Sequence, residues 1–448
     1  MRSRTVIMLA AVLTVATSCF KDSNFDFKAE GEGSASYLMP GRVESPDIRN
    51  VMLMVAGGFN SLSSYLAEDQ EMLASGWLPN RTSAKDNILV VLSRLPEEIG
   101  TKDYSVPSAP VLYRLYAGTN GLPTRDTLKV WDAETPVSLG STIEEALHIV
   151  YNRYPAKGYG MVFSSHASGW LPVEYYFDPA KFESSKSFAP GSGRSLSSLK
   201  YPWRMQNEYF PPLDQAEGPA VKSVGRDDGN PVYEMNMDDF ARAIPFKLDY
   251  LLFDACLMGC VEVAWELREK ADLVGFSQTE VLADGFDYST ISMDLLLNTP
   301  DPKSVCEDYF KHYDALTGDY RSATISLVDT REMDGLAALC KTLFEKYRTQ
   351  IAALKGKDVQ GYFRQNRHFY YDLEDILVKA GISEEEHAQL SAALDKCVIY
   401  KAATPSFLSI TISRYSGFSM YLPSMGSTYL DNFYRSKVAW NKATSLIN

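Results

Sequence analysis

Long apolar runs are scarce in this sequence, and past the N-terminus none approaches the length of a membrane span. Histidine is rarer still: five residues in 448, at positions 148, 166, 312, 368 and 387. Cysteine numbers six. Cys256 and Cys260 have no paired Cys or His set beside them, which argues against a structural zinc site. The remaining cysteines are too widely spaced for a small disulfide scaffold. No basic cluster offsets the formal charge of −13, from 44 Lys and Arg against 57 Asp and Glu. Such a surface repels a phosphate backbone, so nucleic acid is set aside as a partner. No internal repeat is present, which removes solenoids. What is there is 45% hydrophobic and 23% charged, enough for a large core.

The N-terminus has a basic start at Arg2 and Arg4, followed by an apolar stretch from Val6 to Ala16. That stretch is short for a membrane span and reads as a signal peptide, residues 1–18. Val15, Ala16, Thr17, Ser18 and Cys19 look like a bacterial lipoprotein cleavage box. The likeness implies lipidation at Cys19, a lipid anchor to the bacterial cell envelope, and an outer-membrane or cell-surface location. Residues 19–50 are rich in Gly, Ser and charged residues and read as a tether. After Cys19 five cysteines remain, at 256, 260, 306, 340 and 397. An odd count leaves at least one thiol unpaired within the chain.

Five apolar runs, at 51–56, 87–93, 160–165, 249–254 and 271–277, lack strict alternation. They read as strands buried on both faces, in a mostly parallel central sheet flanked by helices. Helices are expected at 61–75, 142–154 and 256–270, the second capped by Ser141 or Thr142. The stretch 171–248 is rich in Ser, Pro, Gly and aromatics, with a short helix at 237–244, and reads as a functional or processing segment. Beyond 300, helices are expected at 302–316, 332–357 and 383–401, and strands at 324–328, 408–413 and 417–422. The fold class is therefore α/β. A main unit spans 51–300 and additional C-terminal α/β elements span 301–448, with one continuous core as the alternative.

Two strand ends carry chemistry. The third run leads into His166, and the fourth into Cys256. In open parallel sheets ligands gather beyond the carboxyl ends of strands. A thiolate beside an imidazole, at the start of a helix, is the arrangement of an activated nucleophile. Each residue alone also suits a bland reading: Cys256 as a small core hydrophobe, His166 as a loop histidine. Cys260, one helical turn on, reads as inward packing. Glu280, Asp284 and Asp287 read as a solvated acidic turn.

The motifs His166, Ala167, Ser168, Gly169, Trp170 and Asp254, Ala255, Cys256, Leu257, Met258, Gly259 together resemble the clostripain-related cysteine peptidases. Segments 275–280, 284–288 and 416–423 resemble the same family. The resemblance spans residues 51–423 and implies a caspase-like fold with a Cys/His dyad. In that light Cys256 is the nucleophile, His166 the general acid/base, and the backbone N–H groups of Ala167 and Cys256 the oxyanion hole. Asp254 would lie at the base of a pocket for Arg or Lys, so the expected partners are peptides or proteins with a basic residue before the scissile bond. The residues themselves leave Asp254 open as a helix cap. The family pattern has glycine after the histidine; here it is Ala167. Relatives often mature by cutting an internal loop after a basic residue, for which Arg194 and Lys200 are the candidates here. The mechanism requires no cofactor. Calcium enters by resemblance alone, because no calcium-loop spacing is present. The rival expectation is a catalytically inactive member that binds surface peptides or proteins. The sequence carries no signal for oligomeric state.

Overall fold

The computed structural model describes residues 48–80, 87–176, 182, 221–222, 226–229, 232–297, 299–363, 369–423 and 425–448. Residues 1–18, expected to be a signal peptide, and Cys19, Arg194 and Lys200 lie outside the described residues. All described residues belong to one compact unit.

Nine strands form one sheet: β1 (Ile48–Gly57), β2 (Asn87–Arg94), β3 (Val111–Ala117), β4 (Pro123–Val130), β5 (Ala156–Ser164), β6 (Leu248–Asp254), β7 (Ala271–Phe276), β8 (Thr324–Asp329) and β9 (Val398–Ala403). Their spatial order is β9-β8-β7-β6-β5-β1-β2-β3-β4. The inner five, β2-β1-β5-β6-β7, are parallel. These are the five apolar runs, and nearly every residue of β1 and β2 is buried, as helix-covered parallel strands require. The outer strands pair antiparallel. The sheet continues past residue 300, because β8 and β9 extend it. It runs in one direction from β1 to β2 and in the other from β1 to β5, so its topological switch point lies between β1 and β5.

Several expected elements sit differently. β1 begins at Ile48, ahead of the expected boundary at residue 50. The first helix is Ser63–Ser75, which leaves Ser61 in the loop after β1. The second is Gly140–Arg153 with Leu139 at its N-cap, and the Thr142 hydroxyl donates instead to the Pro136 carbonyl, 2.9 Å away. The helix expected at 256–270 is only Val261–Leu267. Cys256 therefore precedes it by five residues and receives no direct N-terminal field, because that effect fades within the first turn. The helix expected to reach 401 ends at Cys397, where the β-branched and aromatic residues Val398, Ile399 and Tyr400 start edge strand β9. Strands expected at 408–413 and 417–422 shrink to two-residue pairings at Ile410–Thr411 and Ser419–Met420.

Candidate active site

β5 and β6 pair in parallel with Ser164 opposite Asp254. Gly160 locks this register: a Cβ there would lie 1.9 Å from Cζ of the Tyr250 ring on β6. His166 and Cys256 each follow two residues beyond the Ser164–Asp254 pair, on strands about 4.8 Å apart. The two loops then touch. Gly169 has φ +60°, and a Cβ on it would fall 2.5 Å from the Leu257 carbonyl oxygen and 3.0 Å from Cys260 Sγ. Only glycine fits that conformation and that gap. Leu257 is itself left-handed, with φ +61°, an uncommon state for a side-chain-bearing residue, in the turn beside Cys256.

The Cys256 loop is clamped by the chain just after β7. Leu257 N–H donates to the Thr279 carbonyl (2.9 Å), and Gly259 N–H to that of Ser277 (2.7 Å). Val281 N–H donates to Cys256 Sγ (3.2 Å). On the other side, Ser419 N–H donates to the Gly259 carbonyl (2.8 Å). Gln278 ties the two clamps together: its Nε2 donates to Ser326 Oγ (2.6 Å) and to the Gly417 carbonyl (2.7 Å), and its Oε1 accepts from the Tyr415 hydroxyl. The segments 275–280 and 416–423, singled out as motifs, are thus the two supports of the Cys256 loop. The histidine loop is held in the same way, Ser165 Oγ donating to the Gly57 carbonyl (2.8 Å) and Tyr370 OH to that of Ser168 (2.5 Å).

Cys256 and Asp254 are fully buried, and His166 and Ala167 nearly so. The thiol is therefore covered in this form. Asp254 Oδ2 accepts from Tyr288 OH (2.9 Å) and Ser164 Oγ (3.1 Å). The helix starts at Val261, so Asp254 does not cap it. Burial, with Asp254 next in effect, pushes the Tyr288 hydroxyl well above its usual range and keeps it a donor. The five described cysteines are buried and none is in a disulfide. Burial pushes the Cys260 thiol up, in keeping with packing rather than reactivity. The acidic trio divides: Glu280 is buried, whereas Asp284 and Asp287 are exposed. Asp287 caps the helix Tyr288–Ser292 by accepting Ser289 N–H (2.9 Å). Among the described residues no three His, Cys, Asp or Glu side chains gather to hold a metal ion. A polar cavity of about 470 Å³ lined by Lys357, Lys379 and Arg414 shares no residue with either loop.

Three contributors had no sequence signal: Ser61, whose Oγ lies 3.3 Å from His166 Nε2, Tyr370, and Glu262. Glu262 lies in the first helical turn after the Cys256 loop and accepts from Tyr421 N–H (2.9 Å) and Tyr434 OH (2.7 Å). Burial raises its carboxyl from 4.5 to about 7. Between those values the folded chain holds a proton that the unfolded chain has released, so folding loses stability as pH rises through that window. Glu262→Gln removes this titration. Its melting temperature is expected to gain on wild type between about pH 5 and about pH 8. Parallel Tm–pH curves would refute the assignment.

The clostripain family (peptidase C11) matches residues 212–445, more than half of the chain. An inactive zymogen C11 protease from Parabacteroides distasonis is 25% identical, with a TM-score of 0.66 over 88% of this chain and 97% of that one. A secreted C11 cysteine protease from Bacteroides thetaiotaomicron, in complex with an irreversible peptide inhibitor, is 23% identical, with a TM-score of 0.66 over 89% of this chain and 99% of that one. The second shows the likeness of fold alone. No curated protein matches the chain.

Proposed function

The chain belongs to the clostripain family, and from that premise we propose that it is an exported, lipid-anchored cysteine endopeptidase that cleaves after Arg or Lys. The observation that supports this reading is the parallel register of β5 and β6: His166 and Cys256 each follow two residues after the Ser164–Asp254 pair, past the carboxyl ends of neighbouring strands. Cys256 gives its proton to His166 and attacks the substrate carbonyl carbon. The N–H groups of Cys256 and Ala167 receive the developing oxyanion. The C–N bond then breaks, the amine takes the proton from His166, and water hydrolyses the thioester with His166 as base. The methyl of Ala167 narrows the space beside the substrate but leaves its N–H in place.

Asp254 supplies the charge for a basic side chain. Because Cys256 is fully buried, substrate entry requires the covering chain to move. Self-cleavage after Arg194 or Lys200 is the proposed trigger. Intact bands of equal mass for wild type and Cys256→Ala on a denaturing gel would exclude it.

Digestion of a positional peptide library by the protein, with and without tryptic nicking, tests the reading. Products ending in Arg or Lys are expected. Products with no basic preference would remove the Asp254 assignment. No products in either state would favour an inactive peptide-binding member.

A further inference from the structure

Ser61 sits on the loop that leaves β1 at the topological switch point, and its Oγ is 3.3 Å from His166 Nε2. The loop is firmly built. Asn60 is fully buried; its Nδ2 donates to the Gly57 carbonyl (2.9 Å) and to the Arg226 carbonyl (2.6 Å), and its Oδ1 accepts Leu62 N–H (2.9 Å). The Gly57 carbonyl also accepts from Ser165 Oγ, which ties this loop to the residue preceding His166. Asp228 N–H donates to the Phe59 carbonyl (2.8 Å). Asp227, beside it, forms a buried ion pair with Arg94 at 2.7 Å. Ser61 itself is exposed, so its hydroxyl hydrogen can face water while its lone pairs face the ring.

We infer that Ser61 is the positioning residue of the dyad: its Oγ accepts Nε2–H of His166, fixes the ring's orientation and tautomer, and supports the imidazolium that forms during the reaction. The inference rests on the peptidase reading. A neutral imidazole has one N–H and one basic nitrogen. With Nε2–H committed to Ser61, Nδ1 is the base. When the Cys256 S–H bond breaks, its electron pair stays on sulfur and the proton bonds to Nδ1. The ring becomes cationic, and the hydrogen bond to Ser61 strengthens as it does so. A hydroxyl oxygen holds the ring without the full charge of a carboxylate, which leaves the imidazolium acidic enough to protonate the departing amine.

The test compares wild type, Ser61→Ala and Ser61→Thr on one arginyl peptide across a pH series. Ser61→Ala is expected to lower kcat about tenfold with little change in KM, the loss of one hydrogen bond to a charged group. The acid limb of its kcat/KM profile is expected to move to lower pH, because the imidazolium loses support and the ring stays a neutral base further down. Ser61→Thr keeps the hydroxyl and is expected to recover most of the rate and the profile. An active wild type with an indistinguishable Ser61→Ala, or a Ser61→Thr as impaired as Ser61→Ala, would overturn the inference alone. A wild type with no turnover would overturn the peptidase reading and this inference with it.

Discussion

Cys256→Ser is expected to lower kcat/KM for an arginyl peptide by at least about 10⁴-fold, and His166→Ala by a comparable factor. The serine hydroxyl can still accept the Val281 N–H that now meets Sγ at 3.2 Å, so the substitution leaves the loop supported. What it removes is the thiolate. A serine hydroxyl does not ionise near neutral pH, and a dyad built for sulfur does not supply the missing driving force. The two residues act on one proton, so the double variant is expected to be no slower than the slower single one. Steady-state kinetics on the three variants checks this. Losses that multiply would mean that the residues work independently and that the dyad is wrongly drawn.

Asp254→Asn carries the second large effect. Asp254 is fully buried at the end of β6 and accepts hydrogen bonds from Tyr288 and Ser164. An asparagine oxygen can keep those bonds, so the substitution removes the charge while preserving the shape. A guanidinium or ammonium entering such a site without a counter-charge meets the desolvation cost of an unpaired ion. Cleavage after Arg is expected to fall about 10³-fold relative to cleavage after an uncharged residue of similar length. The measurement is kcat/KM on a matched peptide pair. An equal loss on both peptides would make Asp254 a structural support of β6 rather than the reader of substrate charge.

The parts of the fold legible in the sequence were those with a one-dimensional signature. Continuous apolar runs marked all five parallel strands, and His166 and Cys256 could be placed at strand ends by counting. The alternating, largely polar β4 sits at an edge and offers no such run. Residues 398–401 continued a helical pattern that the structure ends at Cys397, where pairing with β8 takes over. The helix after Cys256 starts late because the Thr279, Ser277 and Ser419 backbones hold the intervening loop by hydrogen bonds from elements well beyond it in the chain. No local pattern encodes such partners. The same is true of Ser61, which reads as the start of a helix until the fold brings it to an imidazole more than a hundred residues along the chain.

The claim on which these expectations depend is that the thiol of Cys256 is made nucleophilic by the imidazole of His166. Treatment with an irreversible arginyl electrophile, followed by mass-spectrometric mapping of the adduct, addresses it directly. The account predicts one modified residue, Cys256, in wild-type protein that has gained activity, and little or no modification in His166→Ala at equal exposure. An adduct on Cys260 or another thiol, or labelling of Cys256 that is indifferent to His166, would contradict it.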